Sequence, residues 1–289
     1  ISSYYDPMLA KIIATAPTRA AALERLQRAL ESSRADGIET NLVFLREIVA
    51  HDVFRAGRQF TRWLNELEFR PNTIEVLQPG THTTVQDYPG RVGYWDIGVP
   101  PSGPMDDLAF RLANRLVGND EGAAGLEITV TGPTVKLNRD VVFALTGASM
   151  QAELVSPSGE KRSVPSWSAV RAQAGSVLKL KRIQGAGQRA YLAVRGGIDV
   201  PPYMGSRATF TLGQFGGHAG RALRAGGVLH LMTTEPADDL LRALEPELVP
   251  KYEHEWIVRV MYGPHGAPDF FTNEDIETFF AARWEVHYN

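Results

Sequence analysis

The chain has 289 residues, 44% of them hydrophobic and 22% charged, and its formal net charge is -3. This length can form one large or two modest domains with hydrophobic cores. The charge leaves no broad basic surface, which argues against nucleic acid or an anionic membrane as a partner. The absence of cysteine excludes disulfides, thiolate metal sites and a cysteine nucleophile, and it suits the reducing cytoplasm.

The two ends of the sequence carry no targeting signal. The chain starts at Ile1, without a methionine, a basic region or an apolar signal core. It also lacks the apolar run of about 18 residues that would span a membrane. Residues 284–289 lie within a predicted strand. We therefore expect both ends to be internal to a longer protein; the alternative is a processed mature chain.

The first 72 residues are predicted to combine a strand with helices. Residues 8–14 form a short apolar run typical of a buried strand, and a helix begins after Pro17. Its apolar residues share one helical stripe: Ala22, Leu23, Leu26, Ala29 and Leu30. Asn41 is the predicted cap of a second helix over residues 42–49. Residues 50–72 form a connector, in which the apolar residues around Trp63 favour a short docking helix over a free tether.

From residue 73 onward, Gly and Pro become frequent and short β-rich runs dominate. Turn residues separate the runs, which is typical of a barrel or sandwich. The predicted strands cover residues 73–77, 141–146, 176–180, 189–194, 228–231 and 256–261.

Helices interrupt this β region. Asp106 is the predicted N-cap of a helix with a continuous apolar stripe, which Gly118 ends. Another helix begins at Thr272, with Asp275 in the reciprocal capping position. A short helix is expected over residues 238–244.

Several motif matches fail on their context. Residues 185–190 fit the dinucleotide pattern G-x-G-x-x-A, but a strand is predicted where that motif requires a helix. Residues 147–151 lack the final glycine of a hydrolase nucleophile elbow. His254 begins a zinc-protease pattern, but Val258 stands in place of the second histidine. A histidine base at His82 or His218 stays open, beside the simpler alternative of an ordinary loop histidine.

Residues 83–106 form the first segment of unusual composition. Gly and Pro restrict its backbone, and rigid loops on a scaffold often carry chemistry. Its polar side chains are Gln86, Asp87, Arg91, Ser102 and Asp106. The alternative is that Asp106 only caps the helix and that Asp87 and Arg91 only pin the loop.

Residues 193–221 form the second such segment. Glycine pairs allow close backbone approach, and Arg195, Arg207 and Arg221 supply guanidinium groups suited to carboxylates, including a carboxylated cofactor. The alternative is structural ion pairing with Asp199 or Glu127. We predict that the two segments approach one another and line one cleft.

Seven motifs identify a family resemblance: TTVQDYPGR, GVPPSGPMDDLAFRLANRLVGN, GLEITVTGP, LTGA, YLAVRGGID, GSRAT and GRAL. Through them, residues 74–289 resemble the cyclophilin-like carboxyltransferase family, which includes urea carboxylases, the second subunit of allophanate hydrolase and a subunit of 5-oxoprolinase. The form QDYPGRVGYW resembles the form that this motif takes in the urea carboxylase branch of the family. The segments YDPMLAK, PTR and GIETN, before residue 42, resemble the C-terminal part of biotin carboxylases.

The resemblance implies a mainly β fold, with a cyclophilin-like β-barrel preceded by a small α+β segment. The expected divisions are residues 1–50 (end of a biotin carboxylase domain), 51–72 (connector), 73–235 (first carboxyltransferase subdomain) and 236–289 (linker and start of a second subdomain). A biotin carboxylase segment followed by a carboxyltransferase segment implies that the chain is part of a multidomain carboxylase. Because such sites are built from two related halves, we expect this chain alone to be inactive.

The resemblance also implies the reaction. An upstream domain uses ATP and bicarbonate to carboxylate biotin, which is carried by a separate biotinyl domain of the same polypeptide. The carboxyltransferase then transfers the carboxyl group to urea, giving allophanate. Guanidine as substrate is one alternative, and a partner-binding subunit of the 5-oxoprolinase or kinase-inhibitor-antagonist type is another. A homo-oligomer is a further expectation, and we expect no metal.

The matched motifs supply the candidate site residues. The candidate catalytic residues are Asp106, Glu127 and Arg207. The candidate substrate-binding residues are Gln86, Asp87, Tyr94, Ser102, Arg195 and Thr209.

Overall fold

The computed structural model describes residues 7–35, 38–234 and 242–285. The α-helices in these ranges are α1 (Arg19–Ser32), α2 (Leu42–Ala50), α3 (Asp52–Arg55), α4 (Trp63–Glu66), α5 (Asp107–Leu116) and α6 (Asn273–Ala281). The first strands are β1 (Thr73–Gln78), β2 (His82–Gln86), β3 (Gly125–Thr129), β4 (Thr134–Leu137), β5 (Val141–Gly147) and β6 (Met150–Val155). The remaining strands are β7 (Lys161–Ser163), β8 (Ala169–Ala172), β9 (Val177–Ile183), β10 (Arg189–Val194) and β11 (Val228–His230). None of the described helices is long and apolar enough to cross a membrane.

The predicted helices form close to where they were expected. In the first segment, α1 and α2 pack through a small cluster centred on Leu23, Leu30 and Val49. Arg46 reaches back to the carbonyl oxygens of Leu30 and Ser33, which satisfies acceptors that the end of α1 leaves open. Asn41 is the N-cap residue of α2, as predicted, but its side chain makes no cap hydrogen bond.

The connector docks as predicted. Trp63 in α4 is 6% exposed, and its ring lies 5.1 Å from the ring of His51 and 6.3 Å from that of Phe54. The capping box of α6 is also confirmed, because Thr272 and Asp275 each accept a hydrogen bond from the other's backbone N–H.

Two predicted strands do not form. Residues 8–14 and 256–261 lie outside any strand, and Ile13 and Ile257 are 77% and 95% exposed. A strand requires a neighbour to bond its backbone groups, and neither run has one among the described residues. The predicted helix over residues 238–244 and the strand at residues 284–289 lie largely outside the described ranges.

Two antiparallel sheets form the body of the structure, which confirms the mainly β prediction. One has the strand order β11-β1-β4-β9-β6-β7, and the other has the order β2-β3-β10-β5-β8. The principal core lies between them, and its fully buried members include Ile74, Leu145, Leu178 and Leu192. The strands β2, β3, β4, β6, β7 and β8 were not predicted, because polar residues or Gly and Pro interrupt their short apolar runs.

The five-stranded sheet packs against the core with one face and against α5 with part of the other. Leu192 of β10 points into the core between the sheets, whereas Tyr191 and Ala193 pack on the opposite face against α5. Phe110 of α5 meets Tyr191 edge-on, at 5.9 Å between ring centroids. A Cβ at Gly125 would lie 3.2 Å from Phe110 Cε2, so a larger residue there would press against α5.

Replacing Leu192 with alanine should lower the free energy of unfolding by about 2–5 kcal/mol, because the change leaves a cavity between the sheets. The matched control is Leu212→Ala, whose side chain is 87% exposed and should contribute almost nothing. Denaturant unfolding of both variants tests this, and equal midpoints for the two would contradict the assignment of the core.

Candidate active site

Polar residues occupy the part of the outer sheet face that lies at the N-terminus of α5. Directly opposed residues of neighbouring strands share a face. One row contains Thr84, Glu127, Tyr191 and Thr146 from β2, β3, β10 and β5. The candidate catalytic residue Glu127 is therefore beside Tyr191, a residue that the sequence analysis did not select.

Glu127 is held through one of its two carboxylate oxygens. Its Oε2 accepts hydrogen bonds from Met105 N at 2.7 Å and from Tyr191 Oη at 3.1 Å. The Oε1 atom lies 3.7 Å from Arg189 Nε, and the side chain is 13% exposed. Burial raises the pKa of Glu127, although Met105 N–H, Arg189 and Tyr191 favour the ionised form. A carboxylate with these properties suits proton transfer.

Asp106 caps α5 as predicted, and it also contacts the C-terminal part of the chain. Its Oδ1 accepts a hydrogen bond from Ala109 N at 3.0 Å, and its Oδ2 accepts one from Tyr252 Oη at 2.6 Å. Burial and the Asp106 carboxylate raise the pKa of Tyr252, which keeps the phenol protonated. Sequence reasoning missed Tyr252, because it lies 146 residues from Asp106 in the chain.

Tyr191 connects these two carboxylates. Asp106 N donates to Tyr191 Oη at 2.7 Å, and the same hydroxyl donates to Glu127. Burial raises the pKa of Tyr191, so its hydroxyl keeps the proton that it donates. The alternation of β10 offered a signal, since Arg189, Tyr191 and Ala193 share one face.

Asp87 and Arg207 meet in a second cluster. Ser206 Oγ donates to Asp87 Oδ1 at 2.6 Å, and Arg207 N donates to Asp87 Oδ2 at 2.7 Å. The Arg207 guanidinium donates from Nε to the carbonyl oxygen of Val200 at 2.9 Å. These contacts confirm that residues 83–106 approach residues 195–221. Among the described contacts, none joins Arg207 to Glu127 or Asp106, so the shared cleft stays a prediction.

Arg91 pins the same two segments together. It is fully buried, with Nε donating to the carbonyl oxygen of Tyr203 at 3.0 Å and Nη2 to that of Ala208 at 2.8 Å. Its guanidinium carbon lies 4.8 Å from the ring centroid of Phe215. A Cβ at Gly216 would stand 2.1 Å from Ala208 O, which leaves room only for glycine. For Asp87 and Arg91, the structure fits the pinning alternative.

Gln86 lies between the two clusters. It accepts a hydrogen bond from Gly103 N at 3.1 Å and donates to Thr84 Oγ1 at 2.9 Å and to Thr209 O at 3.4 Å. Thr209 is also engaged, since its hydroxyl donates to Val85 O at 2.8 Å. Both side chains are buried. Their polar groups therefore hold the loop in place.

The remaining candidates are less tightly held or lie elsewhere. Tyr94 and Ser102 are half-buried, and Ser102 has a positive φ of 56°. Arg195 follows β10 at its other end, where Asn119 Oδ1 accepts a hydrogen bond from Gly196 N. The four residue-to-residue steps from Tyr191 to Arg195 span about 13 Å of extended chain, which separates Arg195 from Glu127. Asp199, proposed above as an arginine partner, pairs with Arg34 at 3.2 Å.

The comparisons with known proteins cover both parts of the chain. Residues 97–289 match the family described as carboxyltransferase domain, subdomain A and B, and residues 1–66 match the biotin carboxylase C-terminal domain. Urea amidolyase of Saccharomyces cerevisiae is 45% identical over 100% of this chain, which spans 16% of that protein. The crystal structure of Kluyveromyces lactis urea carboxylase is 41% identical with a TM-score of 0.89, over 100% of this chain and 26% of that one.

A shorter relative matches only part of the chain. This relative, a 5-oxoprolinase subunit of Escherichia coli, is 44% identical over 53% of this chain and 47% of its own length. Within the described ranges, no three His, Asp or Glu side chains are grouped so that they would hold a metal ion.

The pKa of Glu127 gives a prediction for stability. Because the folded pKa is raised, the native state binds this proton more tightly than the unfolded state between about pH 4.3 and the folded pKa. The associated stability is present below the unfolded pKa and is lost as the pH rises through the folded pKa. Relative to Glu127→Gln, the unchanged protein should thus lose free energy of unfolding from about pH 4 upward. Denaturant unfolding between pH 4 and 7 measures the difference, and a constant difference would contradict it.

Proposed function

Since the chain belongs to the family of carboxyltransferase domains, subdomain A and B, we propose that it is the carboxyltransferase portion of a biotin-dependent urea carboxylase. The supporting observation is the order of two matches in one chain: a biotin carboxylase C-terminal domain followed by a carboxyltransferase domain. The urea amidolyase and urea carboxylase relatives align over all of it. A 5-oxoprolinase-type subunit is less well supported, since that relative covers about half of the chain.

The proposal assigns the reaction to a longer polypeptide. There, ATP-dependent carboxylation of biotin belongs to the biotin carboxylase domain, of which residues 1–66 match only the C-terminal part. Urea is the proposed substrate, the carrier domain of the same polypeptide is the proposed partner, and the cytoplasm is the proposed location. The homo-oligomer and the domain boundaries stay predictions.

Urea needs assistance to act as a nucleophile. Its nitrogen lone pairs are delocalised into the carbonyl group, so attack requires a base that removes a proton from nitrogen. Glu127 fits this role, because Met105 N–H and Tyr191 O–H fix its Oε2, whereas the described hydrogen bonds do not use Oε1, which lies 3.7 Å from Arg189 Nε. Its raised pKa increases its basicity over an ordinary carboxylate. We assign Glu127 as the base that accepts the urea proton.

The other candidates receive supporting roles. Asp106 positions Tyr191 through its backbone N–H and Tyr252 through its carboxylate, and is a positioning residue. Arg207, Asp87, Gln86 and Thr209 hold the loop that carries Met105. We propose that Tyr94 and Ser102 contact the substrate. We assign Arg195 no contact with the Glu127 site.

The described residues do not by themselves form a pocket for the ureido ring of biotin. Such a ring needs donors and acceptors, but those of Gln86, Asp87 and Thr209 are already used within the protein. When carboxybiotin is present, it supplies the carboxyl group for transfer. A biotin pocket would therefore need residues of a second subdomain. The residues of this chain are assigned only the binding of urea and the removal of its proton.

The sharpest test of this function is Glu127→Gln in the full-length protein. Urea-dependent carboxylation should fall about 10²-fold or more, because the amide cannot accept the proton. Bicarbonate-dependent ATP cleavage should be unchanged, since it belongs to another domain. The matched control is Glu121→Gln, which loses a carboxylate paired with Arg111 outside the site.

Near-normal turnover of urea by the Glu127→Gln variant would overturn the assignment of the base. The same assay with guanidine in place of urea distinguishes the two substrates. If the unchanged protein turns over guanidine faster than urea, guanidine becomes the proposed substrate in place of urea. The assignment of Glu127 as the base would be unaffected.

A second prediction concerns Asp106. Loss of the cap in Asp106→Ala should cost about 0.5–2 kcal/mol of stability. The kcat for urea should fall because Tyr252 loses the carboxylate that accepts its hydrogen bond, and because the backbone N–H of residue 106, which holds Tyr191, loses the cap that fixes it. We expect ATP cleavage to be retained and KM to change less than kcat. The control is Asp107→Ala, an exposed neighbour in the same turn. If melting temperature and kcat both stay near normal, Asp106 is no more than a replaceable cap.

A further inference from the structure

Residues 242–252 form a strap that runs from the edge strand β8 to the N-terminus of α5. The first residues of the strap are bonded to the sheet through the backbone. Ala169 N of β8 donates to Arg242 O at 2.7 Å, and Leu244 N donates to Trp167 O at 2.9 Å. Because the strap both donates and accepts here, its backbone groups are satisfied by the sheet and its start is fixed.

The strap then packs on the cluster that joins α5 to the sheet. Three of its apolar side chains, Leu244, Val249 and Tyr252, are half-buried against this cluster. The ring of Tyr252 lies beside the turn before β10, since a Cβ at Gly187 would be 3.6 Å from its Cδ1. Burial of the ring therefore fixes where the phenolic hydroxyl lies.

The hydroxyl of Tyr252 begins a series of hydrogen bonds that ends at the proposed base. It donates to Asp106 Oδ2 at 2.6 Å, while Asp106 Oδ1 accepts from Ala109 N at 3.0 Å. Both carboxylate oxygens are thus bonded, which holds residue 106 in one conformation. Asp106 N in turn donates to Tyr191 Oη at 2.7 Å, and Tyr191 donates to Glu127 Oε2 at 3.1 Å.

From this geometry we infer that the strap is part of the catalytic subdomain and that Tyr252 is a positioning residue for the proposed carboxyl transfer. By holding Asp106 Oδ2, the hydroxyl of Tyr252 fixes the backbone N–H that orients Tyr191 toward Glu127. The inference rests on the proposed function and deepens it, because it names the element that fixes the base. It also moves the end of the first subdomain from the predicted residue 235 to residue 252.

The charge of Asp106 provides a second readout of the same contact. Burial raises the pKa of Glu127, and the charge of Asp106 raises it further. The groups that lower this pKa are Met105 N–H, Arg189 and Tyr191. A phenol that donates to a carboxylate disperses part of its negative charge. Loss of the strap's hydroxyl should therefore raise the pKa of Glu127, and a less well oriented Tyr191 would act in the same direction.

The competing explanation is that Tyr252 only packs the strap against the cluster. The variant Tyr252→Phe separates the two explanations, because it keeps the buried ring and removes only the O–H group. If packing were the whole role, this variant would keep a normal kcat and a normal dependence of kcat/KM on pH.

The experiment uses Tyr252→Phe in the full-length protein. The kcat for urea should fall about tenfold, because a hydrogen bond to a charged group is lost. KM should change little, since the inference gives Tyr252 no contact with urea. The rise of kcat/KM with pH, which reports the base of the free enzyme, should move upward by about half a unit. Bicarbonate-dependent ATP cleavage and the melting temperature should stay close to those of the unchanged protein.

The matched control is Tyr88→Phe. Tyr88 packs against the same cluster, and among the described contacts its hydroxyl makes no hydrogen bond. The control should therefore keep the kcat and the pH dependence of the unchanged protein.

A double-mutant cycle tests whether Tyr252 acts through Asp106. Tyr252→Phe should lower kcat much less in the Asp106→Ala background than in the unchanged protein, because the acceptor of its hydrogen bond is already gone. Additive losses in the double variant, a normal kcat in Tyr252→Phe, or a pH dependence that does not move would each refute the positioning role.

Failure of this inference differs from failure of the proposed base. If Glu127→Gln keeps its urea turnover while Tyr252→Phe loses turnover and the cycle is non-additive, Tyr252 positions this hydrogen-bonded group and the base is another residue. If Glu127→Gln loses turnover while Tyr252→Phe is normal, Glu127 stands as the base and the positioning role of Tyr252 is wrong.

Discussion

The packing of α5 on the outer face of the five-stranded sheet is the constraint on which the rest of the site depends. A ten-residue helix is only about 15 Å long, so it covers Ala193 and Tyr191 but not the end of the face beyond its first turn. Apolar residues occupy the covered part, and Thr84, Glu127, Thr129 and Arg189 occupy the rest. The N-terminus of α5 thus marks the border between core and site.

Two further polar clusters serve mainly to hold that border in place. Arg91 and Asp87 use their charges on backbone groups of residues 203–208, and Gln86 bonds the loop that precedes α5. Buried polar groups are costly unless they are bonded, so these side chains fix a single loop conformation. They resemble functional residues in sequence because Gly, Pro and charged residues occur together in both kinds of loop.

The sequence predicted the helices well and the strands in part. The apolar stripe and capping residue of α5 are local signals, and the helix forms where they indicate. Residues 8–14 and 256–261 have the composition of strands, but pairing depends on a neighbour that no local pattern reports. The same limit applies to the site: Asp106 and Glu127 were selected from motifs, whereas Tyr191, Tyr252 and Arg189 join them only through sheet register and packing.

The direction of the hydrogen bonds decides how Glu127 can act. Asp106 N–H donates to Tyr191, so the single phenolic proton of Tyr191 must point to Glu127 Oε2. Met105 N–H donates to the same oxygen, and both bonds favour a carboxylate over a protonated acid. In the proposed reaction, the proton taken from urea would therefore arrive at Oε1, the oxygen 3.7 Å from Arg189 Nε. Tyr252 is bonded to the carboxylate of Asp106, whose backbone N–H holds Tyr191, so the stretch with exposed Trp256 and Ile257 begins directly after a residue of this hydrogen-bonded group.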